Sequence, residues 1–385
     1  MTNSGVFPNA SRLRRLGQRS NAFGSLRLLF ASLVIVAHIP EIFHGNRDNE
    51  PLTWLFGTIS FGDLAVDGFF LISGYLITAS FLNSRTSFSY LKKRVARIYP
   101  GFLCAYFVCV LIVAPIGGAR MPDQPGELAS VMIRALLLQP PDVGTVFNGT
   151  PFPFLNTSMW TIGIEFKCYL LIYVIGLLGL LKNRKLILIA AIAFLIANMF
   201  VELDHQPFNM GIVDRPIPNV FSFSEWNTML LGNKKGWLRL TAIFLTGSCF
   251  YHYRDLLVFK PIYIMVSIVM LVACLYFDRT AHLGAALFGA YLIFAVAEMN
   301  TDNVFSRINN ETDISYGVYL YAWPVTKFLF LFLPTLSVLE ISLLTLVISY
   351  LLGWVSWVIV ERPFMTLVSP KNAFTVSPKD SHTVP

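Results

Sequence analysis

The chain has 385 residues, 55% of them hydrophobic, 14% aromatic and 13% charged, with mean hydropathy +0.62. A soluble domain carries roughly 25% charged residues, so the composition excludes an ordinary water-soluble enzyme and implies an all-α, polytopic membrane protein. Membrane topology, rather than nucleic acid, accounts for the net charge of +7, and the five scattered cysteines, with no CxxC pair, read as small buried hydrophobes and suggest neither a disulfide framework nor a metal site.

Residues 1–23 form a basic segment, with Arg12, Arg14, Arg15 and Arg19 ahead of the first apolar run and no small-residue cleavage box, the pattern of a retained signal anchor. Apolar windows of about 17–25 residues place about ten transmembrane helices at 24–43, 60–82, 99–117, 160–181, 185–203, 237–252, 258–277, 282–299, 313–333 and 337–360. One transmembrane domain over 24–364 and a polar, disordered tail over 365–385 follow. Lys and Arg fall about two to one on the side that carries the N-terminus, so both termini are expected in the cytoplasm. The outer segments 118–159 and 204–236, rich in Pro, Gly and Asn, are expected to be irregular, with a short re-entrant piece at 128–139.

In the first span, Arg27 and His38 interrupt the apolar run LRLLFASLVIVAHIP. An eleven-residue step is roughly three helical turns, so both side chains share one face about 16 Å apart along the axis. An ionisable residue near mid-membrane costs roughly 2.5–3.5 kcal/mol even on the lenient insertion scale, which makes it a functional candidate. A neutral imidazole there accepts a proton from an alcohol. The bland alternatives are a histidine satisfied in a helix interface and an arginine snorkelling to the surface.

The second span carries DGFFLISGYLI at 67–77. Gly68 and Gly74 allow close approach of another backbone, Ser73 and Tyr75 supply hydroxyls, and Asp67 needs a polar cavity or a basic partner, one option being an imidazole that it orients. Between the second and third spans stands the densest basic block, in which Arg94 and Arg97 are three residues apart and form one helical face able to hold a phosphate. Simple positive-inside anchoring explains the same block without chemistry. In NTSMWTIGIEFKCY at 156–169, Trp160 marks the outer interface and Glu165 and Tyr169 form a polar stripe at i, i+4. Lys167 lies on a different face, so Glu165 should find its partner on another helix. Downstream, Tyr316, Tyr319 and Tyr321 with Pro324 make a polar, kinkable helix, and Glu361 to Phe364 (ERPF) is expected to turn the chain at the end of the last span. Of the remaining histidines, His44 and His205 fall in outer segments, His252 and His382 in inner ones, and His282 at a helix start. No HExxH, GxSxG, P-loop or dinucleotide fingerprint occurs.

Taken together and in this order, Arg27 with His38, GFFLISGYLI at 68–77, RxxR at 94–97 with Ile98, Tyr99 and Pro100, WTIGIEFKCYLL at 160–171, SYGVYLY at 315–321 and ERPF at 361–364 resemble the acyltransferase-3 family of integral membrane O-acyltransferases, which act on cell-surface and secreted carbohydrates. The resemblance implies acyl-CoA, most often acetyl-CoA, as donor, no permanently bound cofactor, and a saccharide hydroxyl, free or lipid-linked, as acceptor, in a bacterial inner membrane. By position it makes His38 the catalytic histidine, Arg27 its same-helix companion, and Arg94 and Arg97 the basic pair on the CoA side. Many relatives carry a second histidine in the tyrosine-rich helix, where this chain reads Tyr321, Ala322, Trp323. The chain also resembles the stand-alone type, without a fused extracellular domain.

The expected site therefore comprises His38, Arg27, Glu165 and Asp67 as catalytic residues, Arg94, Arg97, Ser73 and Tyr75 around the donor, and Trp160, Tyr169 and Tyr316 around the acceptor, with no metal. His38 serves either as general base or as transient acyl carrier. The rival class is a saccharide or lipid-linked-sugar transporter, against which stands the absence of visible inverted repeats. A purely structural membrane component leaves Arg27, Asp67 and Glu165 without a purpose.

Overall fold

The computed structural model describes residues 21–200, 217–220, 233–299 and 303–368. The basic stretch at 1–20, most of the outer segment 204–236 with His205, and the tail after Val368 with His382 lie outside the described residues. Among those described, the chain is helical without a strand. In hydrocarbon every backbone N–H and C=O must find a partner within the chain, and a helix supplies those partners locally.

Eleven helices organise the described chain: α1 Phe23–His44, α2 Phe61–Leu82, α3 Ser87–Ile116, α4 Pro125–Leu136, α5 Trp160–Leu177, α6 Arg184–Phe200, α7 Lys234–His252, α8 Pro261–Leu275, α9 Asp278–Glu298, α10 Ser315–Phe332 and α11 Val338–Val368. All ten predicted spans contain a helix, but only α1, α2, α3, α5, α9 and α11 are long and apolar enough to cross a membrane by length and composition. The expected count of ten is not reached on that measure, for physical reasons. Helix α8 has 15 residues, α7 opens on Lys234, Lys235 and Arg239, and α10 is a polar helix packed inside the bundle. Every α10 residue from Ser315 to Lys327 is buried, so the lipid never selects its side chains.

Local signals set the helix ends. Ser60 and Asp63 cap α2 reciprocally, each side chain accepting from the other's backbone N–H. Gly45, at φ +73°, closes α1 in the left-handed conformation and turns the chain so that Arg47 folds back towards Glu41. Helix α3 begins at Ser87, so the basic block lies on the same continuous helix as the span that follows it. The segment 128–139 is largely the amphipathic helix α4. ERPF is not a turn: a π turn over Trp357–Glu361 passes straight into helical Arg362–Val368, and the extra residue re-aims Glu361 into the bundle.

Lipid tails are as apolar as leucine, so small residues and buried polar bonds determine which helices meet. A Cβ at Gly74 would fall on the Phe244 carbonyl of α7, and one at Gly247 on the Leu71 carbonyl of α2, so these two glycines let α2 and α7 cross backbone to backbone. Gly68, by contrast, makes room for a side chain, the ring of Phe30 on α1. Helix α10 packs between α1 and α11. It also fastens the loop ahead of α5: Asn156 donates to the Leu320 carbonyl at 2.8 Å, the Trp323 indole donates to the Phe154 carbonyl at 3.3 Å, and Lys327 donates to the Phe152 carbonyl. Leu320, Trp323 and Lys327 recur at helical spacing, so one face of α10 holds this loop beside His38.

Candidate active site

At the end of the bundle where α1 begins, a cleft of about 710 Å³, including its open mouth, lies between α1, α2, α3, α5 and α10. Arg27, Ser73, Arg94, Arg97, Glu165, Tyr169, Tyr316 and Tyr319 face it. Seven of these eight are among the residues singled out as site candidates, and the folded chain gathers them from five helices.

The three arginines have unlike surroundings. Arg27 and Arg97 both donate to Oδ2 of Asp313, the latter at 2.6 Å, and Arg97 also reaches Glu361 at 3.0 Å. Asp313 stands in the loop ahead of α10, where Ser315 and Asn309 donate to its other oxygen at 2.5 and 3.1 Å. Burial alone would raise its carboxyl, but the two guanidiniums outweigh that and hold it at about 2. Arg94 has no carboxylate at ion-pair distance among the described residues. Its contacts are Ser80 Oγ at 3.5 Å and the rings of Tyr90 and Tyr169 at 5.8 and 5.9 Å, and its Nε has no hydrogen-bond partner. The two arginines of the basic pair thus differ: Arg97 is committed to two carboxylates, and Arg94 has none at ion-pair distance among the described residues.

Glu165 finds its partner on another helix, as its spacing requires: Ser73 Oγ on α2 donates to Oε1 at 2.9 Å, and Tyr169 donates to the same oxygen at 2.5 Å. Tyr316 donates to the Ile98 carbonyl at 2.9 Å, and Arg97 lies over its ring at 5.6 Å.

His38 does not line this cleft. It lies further along α1 in a smaller pocket of about 220 Å³ formed by α1, the turn before α5 and α10, with Ser158, Tyr319, Trp323 and Thr326 around it. Its Nδ1 is 2.8 Å from Oε2 of Glu41, and its ring meets Trp323 edge-on at 5.1 Å. An ionised carboxylate only accepts, so Nδ1 carries a proton, and in the neutral ring the lone pair is on Nε2. Glu41 is the residue that sequence reasoning missed, although its i, i+3 spacing from His38 was visible.

Three candidates sit elsewhere. Asp67 does orient an imidazole, but that of His282, at 2.8 Å, with Arg239 Nε at 3.7 Å, in a fully buried cluster outside the cleft. Two buried residues 215 positions apart in the chain satisfy each other there, which no local pattern reveals. Tyr75 packs among Phe23, Tyr251 and Phe294, away from the cleft. Trp160 lies over Gly236 at the start of α7, where a Cβ would strike its ring. The Asp67 cluster is nevertheless joined to His38 by a chain of charges: Glu41 to Arg47 at 3.2 Å, Arg47 to Asp63 at 3.3 Å, and Asp63 to Arg239 at 3.1 Å.

A cleft lined by three arginines at one end of a helical bundle, with a carboxylate-held histidine in a separate pocket, and helices long and apolar enough to cross a membrane fit an integral membrane protein. Residues 21–360 match the acyltransferase-3 family, described as an acyltransferase domain, and the chain belongs to that family. It is similar to an O-acetyl transferase of Shigella phage Sf6, 26% identical over 359 residues, covering 92% of this chain and 98% of that protein. It is also similar to nodulation protein 10 of Rhizobium leguminosarum bv. viciae, 25% identical over 370 residues, covering 91% and 94%. A third relative, the acyltransferase MdmB of Streptomyces mycarofaciens, is 27% identical over 151 residues, 38% of this chain and 36% of that protein. No solved structure matches.

Proposed function

We propose that this membrane acyltransferase takes an acyl group, acetyl first, from cytoplasmic acyl-CoA and transfers it through His38 to a hydroxyl of a saccharide, free or lipid-linked, in a bacterial inner membrane. The observation that carries this reading is Arg94, a guanidinium facing a cleft with no carboxylate at ion-pair distance among the described residues. An anionic donor supplies that charge. The diphosphate of CoA docks on Arg94, with Arg27 and Arg97 held alongside by Asp313 and Glu361. Glu165, Ser73 and Tyr169 line the wall along which the pantetheine arm extends. The acceptor enters from the opposite end, where Trp323 and His38 face the smaller pocket.

At His38 the acceptor hydroxyl gives its proton to Nε2 while its oxygen attacks the thioester carbon; the C–S bond breaks and the CoA thiolate leaves and is protonated. The same lone pair serves if His38 first takes the acyl group itself and then passes it on. Glu41 stabilises the imidazolium either way.

Purified protein in lipid nanodiscs tests the reading by release of free CoA from acetyl-CoA. His38→Ala is expected to lower turnover by about 10²–10⁴-fold, and Arg94→Gln to raise the KM for acetyl-CoA. A His38→Ala protein that inserts normally and transfers at the wild-type rate would sink the proposal. Saccharide uptake without CoA release would assign the chain to transport instead.

A further inference from the structure

The donor cleft and the His38 pocket share one lining side chain, Tyr319 of α10. Its hydroxyl donates to the Ser158 carbonyl at 2.6 Å and pairs with the Thr161 hydroxyl at 2.7 Å. Ser158 lines the histidine pocket and Thr161 lines the cleft, so the phenol is fastened to both sides of the boundary. The Tyr319 ring meets Phe69 of the cleft edge-on at 6.1 Å. One hydroxyl donates one hydrogen bond, so with Ser158 as acceptor it accepts from Thr161 and is satisfied.

We infer that Tyr319 is the partition between the two chambers and sets the size of acyl group that reaches His38. This rests on the proposed acyl-CoA donor and on His38 as the reacting residue. A donor bound at Arg94 must bring its thioester carbon past Tyr319 to reach Nε2, and the ring must shift while two buried hydrogen bonds hold it. An acetyl group presents a single methyl and needs the smallest shift. Each further methylene must displace the ring more or fold back against Phe69. The chemistry is unchanged by the filter: the acceptor oxygen bonds to the acyl carbon, the thioester C–S bond breaks, the hydroxyl proton goes to the imidazole and the thiolate leaves as CoA.

The test uses the full chain in nanodiscs with acetyl-, propionyl- or butyryl-CoA and, as acceptor, surface saccharide of the host stripped of O-acyl groups by mild alkali. Wild type is expected to favour acetyl over propionyl in kcat/KM by about tenfold or more, the discrimination one methylene supports in a closed site. Tyr319→Phe removes the hydroxyl fastening and lowers that ratio; Tyr319→Ala removes the ring and lowers it further. Thr161→Val lowers it with Tyr319 intact, which keeps the inference testable if Tyr319→Ala does not fold. Ratios that stay at the wild-type value in Tyr319→Phe and Thr161→Val would overturn the partition while leaving acyl transfer through His38 standing. A wild-type protein that releases no CoA from any of the three thioesters overturns the donor reading, and the partition with it.

Discussion

His38 and Glu41 are three residues apart on α1, a spacing that places the carboxylate one turn ahead of the imidazole on the same side of the helix. From sequence, Asp67 is the more conspicuous candidate for this role, because a carboxylate deep in an apolar span demands a partner. The fold gives Asp67 to His282 and leaves His38 to its near neighbour. Glu41→Gln keeps the shape and a polar contact at Nδ1 but removes the charge that favours the imidazolium. The expected result is a loss in kcat of about 10²-fold, with the KM for acyl-CoA little changed and the protein folded; an equal loss in thermal stability would mark Glu41 as structural. Arg94 teaches the converse lesson. Its spacing from Arg97 was legible, but the difference between them, one guanidinium paired and one open, arises from Asp313 and Glu361, more than 200 residues away in the chain.

Elements were legible where the apolar period ran unbroken. Helices α1 and α2 match the expected 24–43 and 60–82 to within a residue, because lipid-length runs and end signals such as Gly45 and Ser60 agree. Helix α3 starts well before the expected 99, since Lys92, Lys93, Arg94 and Arg97 lower hydropathy without lowering helix propensity. The crossing of α2 and α7 depends on absent side chains, which the sequence advertises as Gly74 but without a partner attached. Gly74→Val places two methyls where the Phe244 carbonyl lies and is expected to destabilise by about 3 kcal/mol or more. Thermal unfolding of the detergent-solubilised protein reads this, with Gly289→Ala, where an added Cβ meets nothing closer than 3.9 Å, as the control expected to cost far less.

For the whole molecule, the ion cluster around Asp313 joins distant segments, tying α1 through Arg27, α3 through Arg97 and α11 through Glu361. Its pH dependence follows from the sign of the shift. Asp313 is held at about 2 against an ordinary 3.8, so the folded state binds the proton less well than the unfolded chain. The stability this contributes, about 2 kcal/mol, is fully present above the ordinary carboxyl range and is lost as pH falls towards about 2. Melting temperature measured from pH 4 down to pH 2 should fall. Asp313→Asn should start lower and show a shallower acid limb, and an acid limb as steep as wild type would remove Asp313 from the account.

Sequence by itself determined the membrane class, the positions of the long apolar helices, the family and the charged residues that face the cleft, Arg27, Arg94, Arg97 and Glu165. These features are local: run length, period, caps, and ionisable residues too costly to place in lipid without a role. Only the tertiary structure decided that His38 faces a pocket separate from the arginine cleft, that Glu41 rather than Asp67 holds His38, that Arg94 lacks the carboxylates that Arg97 has, and that Tyr319 lines both cleft and pocket. Each of those facts depends on which side chains from separate helices come within hydrogen-bonding distance, and such pairings leave no period in the chain to be read.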